Sequence, residues 1–154
     1  MEREIKMGNL FGDQDAADVS DNPFYVAPDD YQCILAEASV KEKKKEDGQG
    51  IAFSWVIEDE DSDYYGSQIS DWLNIHPDVT KEDMTPKVRQ DNARLKKRLT
   101  EMGLTPEQQN DLLDDDNLSD LVGMTAVLSV TETKNKNDPE IVYTNVTKVT
   151  VTEE

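Results

Sequence analysis

The chain has 154 residues, a net charge of −18 at pH 7, 36% hydrophobic and 32% charged residues. That length suits one domain, and the low hydrophobic share suits a compact core with acidic extensions. No apolar run approaches the roughly 20 residues of a membrane-spanning helix, and the N-terminus shows no signal-peptide pattern, so the expectation is a soluble cytoplasmic protein.

Residues 1–22 are polar and acidic around Leu10 and Phe11, with no sustained period. They read as a flexible acidic N-terminal arm, ended by turn signals at Asn22-Pro23 and Pro28-Asp29-Asp30, with one domain over 23–152. The first strand is expected from about Asp30 to Lys43. Its apolar residues change face between Leu35 and Ala36, which predicts a bulge. Cys33 lies in this strand and reads as a small buried side chain; as the lone cysteine it excludes an internal disulfide.

A basic cluster follows, Lys41, Lys43, Lys44 and Lys45, and then a polar turn at Glu46–Gly50. From Ile51 to Glu58 the residues alternate, with Ile51, Phe53, Trp55 and Ile57 on one side. This is the period of a strand, and Phe53 and Trp55 fall on its core side. Asp59-Glu60-Asp61-Ser62-Asp63 looks like the start of a calcium loop. Tyr64 and Ser70, however, stand where such a loop needs Gly and Glu, so it reads as a solvated hairpin loop. A third strand is expected over Tyr65–Ile75. There Trp72 alternates against Ile69, Leu73 and Ile75, and so points away from the inward set. His76-Pro77 closes it; Cys33 and His76 are too few for a zinc site, and no metal or cofactor is expected.

Thr85-Pro86 caps a helix whose apolar face is Val88, Leu95, Leu99 and Met102, stopped by Gly103-Leu104. Its other faces carry Arg94, Lys96, Lys97 and Arg98, which read as solvated charge. A short helix begins at Thr105-Pro106 and carries Leu112 and Leu113. Two further strands, Val122–Thr133 and Ile141–Val151, flank a hairpin turn at Lys134–Pro139. Five short strands with a helix between the third and fourth is the layout of an OB-fold. The fold expected is mainly β with α: a five-stranded OB-fold-like barrel with a helical insert between strands three and four.

Of the 16 Lys and Arg, four lie within 41–45 and seven within 81–98. Local clusters decide what a surface attracts within a Debye length of roughly 8–10 Å. In an OB barrel the first and last hairpins flank the ligand groove, so Lys41, Lys43, Lys44, Lys45, Lys134 and Lys136 are candidate phosphate contacts. Trp72 is the candidate base-stacking platform, with Tyr143 a weaker one. Each has a plainer alternative: a solubilising hairpin tip for the lysines, and a ring covered by the helix for Trp72. No nucleophile–base arrangement, metal motif or Gly-rich phosphate loop points to an enzyme.

The order Pro28-Asp29-Asp30-Tyr31, Lys41–Lys45, Gly50–Ile57, Gly66–Leu73, Leu95–Leu104, Asp120-Leu121-Val122-Gly123 and Tyr143-Thr144-Asn145-Val146 resembles a known pattern. It is that of phage-encoded single-stranded DNA-binding proteins associated with phage replication and recombination genes. The resemblance spans about residues 23–149. Asp30 departs from it where Gly is expected, and a long acidic tail is lacking. The resemblance implies sequence-independent coating and protection of single-stranded DNA in the host cytoplasm, with phage or host replication and recombination proteins as partners. It leaves the oligomeric state open, a homodimer included. The −18 charge supports a different class: an acidic DNA mimic or interaction protein that inhibits a host nuclease or restriction system.

Overall fold

A computed structural model describes Leu10 and residues 25–42, 48–134, 136–137 and 142–152. The elements are β1 (Asp29–Glu42), β2 (Gln49–Ile57), β3 (Gln68–Ile75), α1 (Pro86–Glu101), α2 (Pro106–Asn110), β4 (Thr125–Lys134) and β5 (Val142–Val151). Single 3-10 turns sit at Lys81–Asp83 and Ser119–Leu121. The arm over 1–22 lies outside the described residues except Leu10, which is exposed. Among the described residues no helix is long and apolar enough to cross a membrane.

The strands form one antiparallel sheet in the order β3-β2-β1-β4-β5. The expected OB barrel is therefore corrected: the sheet is open. A barrel removes its edges by pairing the outer strands, and no hydrogen-bonded ladder joins β3 to β5. The resemblance to the phage single-stranded DNA binders falls with it, because the barrel is the fold that resemblance implies.

The seam between the outer strands explains why no ladder forms. Arg98 of α1 donates from Nε to Asp71 Oδ2 on β3 at 2.7 Å and from Nη2 to Val146 O on β5 at 2.8 Å. Its Nη1 donates to Glu101 Oε1 at 2.6 Å, and that oxygen also accepts from Val149 N at 3.0 Å. Side chains of the helix thus satisfy edge groups of β5 that a neighbouring strand would otherwise bond. Arg98, expected on a solvated face, is buried, as is Asp71. Burial pushes the Asp71 carboxyl above its ordinary range, while the Arg98 guanidinium pulls it down. Neither residue is part of the alternating apolar pattern, which is why the pair is hard to read in sequence.

The change of face in β1 is a bulge: Leu35 pairs with Trp55 and Glu37 with Ser54, leaving Ala36 as the extra residue. A second irregularity leaves Thr147 extra on β5, between the partners of Ser129 and Val130. It lets both Val146 and Val149 face the core, which strict alternation forbids. Ile51, Phe53, Trp55 and Ile57 are buried as their alternation predicts, with Ile69, Leu73 and Ile75 opposite them. Cys33 is buried too.

The helix begins as its sequence predicts. Thr85 Oγ1 accepts from Val88 N at 3.2 Å, and Pro86 occupies the first turn. It ends in a left-handed stop: Gly103 has φ +89°, Gly103 N bonds Thr100 O, and Leu104 N bonds Leu99 O. Val88, Leu99 and Met102 are buried, and Leu95 packs partly against the core. The third strand starts at Gln68 and not at Tyr65, because Tyr64–Ser67 makes a turn in which Ser67 N bonds Tyr64 O.

Candidate nucleic-acid interface

Cross-strand partners share a face of a sheet. Four rows cross β1, β2 and β3 on the face turned away from the core. They are Ile34–Val56–Gln68, Glu37–Ser54–Ser70, Ser39–Ala52–Trp72 and Lys41–Gly50–Asn74. Glu37 and Lys41 are the only charged residues in these rows. In a chain of net charge −18 these rows are thus close to neutral, built from aliphatic, small and amide side chains around one large aromatic.

Trp72 belongs to this outer face, as its alternation predicts. Its ring lies against β2, directly over Gly50: a Cβ built there would stand 2.2 Å from Trp72 Cε2 and 2.6 Å from Nε1. Trp72 Nε1 donates to Asn74 Oδ1 at 2.8 Å. The ring is therefore seated flat on glycine backbone and held at its polar edge, with the indole half-buried. Beside it, Gln68 Nε2 donates to Ser54 Oγ at 2.9 Å. Ser39 Oγ, in the same row as Trp72, is buried with no hydrogen-bond partner among the described residues.

Of the predicted phosphate contacts, Lys41 is exposed and shares the outer face with Trp72 and Asn74. It pairs with Glu37 at 3.9 Å, itself more than half exposed, a loose pair of little net energy. Lys43, Lys44 and Lys45 lie outside the described residues. Lys134 and Lys136 are exposed but belong to the β4–β5 hairpin. The ladders put that hairpin at the opposite end of β1 from Lys41, since Val130 pairs with Asp29 while Lys41 pairs with Gly50. Tyr143 is partly exposed and pairs with Thr133, whereas Lys134 pairs with Val142. Alternation sends those two side chains to opposite faces of the hairpin. The structure thus brings Lys41 and Trp72 together and leaves the last-hairpin candidates apart from them.

Two residues around Trp72 are not picked out by sequence reasoning: Gly50 and Asn74. Gly50 was assigned to the turn but lies inside β2; a glycine within a strand pattern is the signal for close approach. Asp91 on α1 is nearly buried and takes Lys87 Nζ at 2.6 Å and His76 Nε2 at 2.8 Å. Burial works against the Asp91 charge, but Lys87, His76 and Asn74 outweigh it and hold its carboxyl below the usual value. His76, which closes β3, is thus a partner of this carboxylate.

The carboxylates gather elsewhere. Asp29 and Asp30 at the start of β1 face Asp59, Asp61 and Asp63 of the β2–β3 loop across a cleft of about 500 Å³, closed by Tyr31 and Tyr64. Two of these carboxylates accept from backbone just after them: Asp59 Oδ1 from Asp61 N at 3.0 Å, and Asp29 Oδ1 from Asp30 N at 2.8 Å. Among the described residues no group of three or more His, Cys, Asp or Glu side chains has the geometry to hold a metal. Compared with protein-family models and with curated proteins, the chain matches none.

Proposed function

We propose that the chain binds single-stranded DNA without sequence preference, across the outer face of β1–β3, as a cytoplasmic binding protein and not an enzyme. The observation that carries this reading is the seat of Trp72. A partly exposed indole lies on a near-neutral face, with Lys41 in the next row and Lys43, Lys44 and Lys45 following it in sequence. Base stacking on an aromatic is worth roughly 1–3 kcal/mol per base and tolerates any sequence. Lysines at the edge supply the phosphate attraction, and the carboxylates gathered at the other end of β1 leave this face free of strong repulsion.

The test is titration with oligo-dT at several salt concentrations. The reading expects binding at low salt that weakens as salt rises, with a slope set by the few lysines engaged. Absence of binding at low salt, or binding indifferent to salt, contradicts it.

A second reading rests on the acidic cleft and the net charge of −18: an acidic interaction protein that imitates DNA toward a basic partner. It predicts no oligo-dT binding and competition between this chain and DNA for a basic nuclease. Oligo-dT binding with no such competition removes it.

A further inference from the structure

We infer that the groove between α1, α2 and the end of β3 is a pocket for one nucleobase; this rests on the single-strand reading above and gives the bound strand a second contact. The groove encloses about 430 Å³, a size usual for small-molecule sites. Its buried lining includes Ile51 of β2, Ile75 of β3 and Leu99 of α1. Leu95 is half-buried, and Leu113, 47% exposed, stands on the rim. A base is a flat, weakly polar ring with a hydrogen-bonding edge, and the groove has both kinds of surface. Gln109 is fixed in it by donating from Nε2 to Thr100 Oγ1 at 3.1 Å and to Leu104 O at 2.9 Å, which leaves Oε1 as an acceptor. Asn92, exposed on α1, has an amide that can turn to donate or accept, so the pocket need not select one base.

Two observations favour a base over an apolar side chain of a partner protein. The first is position. Ile51 and Ile75 directly follow Gly50 and Asn74, the outer-face pair that seats and holds Trp72. Trp72 and Ile75 are three residues apart, about 10 Å along a strand. A strand stacked on Trp72 therefore meets the groove as it passes the end of β3 at His76-Pro77. The second is charge. Residues three and four apart are neighbours on a helix, and Arg89 and Lys96, both exposed, flank Asn92 at those spacings. They line the α1 side with positive charge suited to phosphate, while Asp114 on the α2 side directs the phosphates toward α1.

The experiment follows the methyl signals of the intact chain by 1H–13C correlation, with thymidine monophosphate and then oligo-dT as ligands and inorganic phosphate as control. Thymidine monophosphate at millimolar concentration is expected to move the Ile75, Leu95 and Leu113 signals and to leave Leu128, buried on β4, in place. Oligo-dT should move the same groove signals. Asn92→Ala, at an exposed position, should weaken both ligands by about two- to tenfold, the span of one hydrogen bond. Lys96→Ala should weaken oligo-dT and lower its salt slope. If inorganic phosphate moves the groove signals as thymidine monophosphate does, the base pocket is overturned. Oligo-dT that binds in a Trp72-dependent way while the groove signals stay fixed also overturns the pocket, and the single-strand reading then stands. If thymidine monophosphate moves the groove signals and Asn92→Ala weakens it, but oligo-dT does not bind, the pocket stands and the single-strand reading fails. No response to any of these ligands overturns both.

Discussion

Replacing Gly50 with alanine is the sharpest structural perturbation of the outer face. The added methyl would stand 2.2 Å from Trp72 Cε2 and 2.3 Å from Cζ2, far inside contact distance, so the indole must lift off β2. Overpacking of this kind costs about 1–3 kcal/mol. Lifting the ring also breaks the Trp72–Asn74 bond, a further ~0.5–1.5 kcal/mol. Alanine recovers about 0.5–1 kcal/mol by ordering the unfolded chain. The net expectation is a loss of about 1–3 kcal/mol, read as a lower urea midpoint at unchanged slope. The cause is tested by repeating Gly50→Ala in a Trp72→Ala background, where the clash is gone and the substitution should be nearly neutral or mildly stabilising. An equal loss in both backgrounds refutes the seat of Trp72 on Gly50.

Three further expectations follow from buried groups. Arg98→Ala leaves Asp71 buried without its partner and should cost ~3–5 kcal/mol at pH 7. Because the orphaned carboxyl then titrates above its unfolded value, part of that loss should return as pH falls toward 5, measured by urea titration at both pH values. Asp91 behaves in the opposite sense. Its carboxyl is held below the unfolded value, so its ion pairs stabilise the fold above about pH 4 and are lost as pH falls through the lower, folded value. Asp91→Asn should therefore reduce stability at pH 7 and flatten the acid limb of the stability profile; an unchanged limb contradicts this. The Cys33 thiol is pushed up to about 12 by burial. It should resist aromatic disulfide reagents at pH 8 until denaturant unfolds the chain.

Much of the architecture is legible in the residues, and the reasons are local. Period-two alternation identifies Phe53 and Trp55 as core and Trp72 as outward, because a strand has only two faces. The Leu35–Ala36 change of face reveals the bulge. Thr85-Pro86 and Gly103-Leu104 bracket α1 because capping chemistry depends on neighbours in sequence. What the order of elements does not contain is whether β3 meets β5. That turns on Arg98 reaching Asp71, 27 residues away, and Val146, 48 residues away, and on Glu101 taking Val149 N. A basic residue among Arg94–Arg98 reads as solvated helix charge until its neighbours in space are known. Sequence also gives the lysine clusters no positions. Lys41 and Lys134 look alike as basic hairpin residues, yet register places them at opposite ends of β1. The Trp72–Asn74 bond leaves no periodic trace, since a polar residue on a strand's outer face is ordinary.

The most direct test of the central claim is the affinity of Trp72→Ala for oligo-dT at low salt, measured beside the wild type with folding checked by circular dichroism. Loss of one stacking platform worth roughly 1–3 kcal/mol predicts binding weakened by about five- to 150-fold. A folded Trp72→Ala chain that binds oligo-dT as tightly as the wild type contradicts the assignment of the outer face as the site.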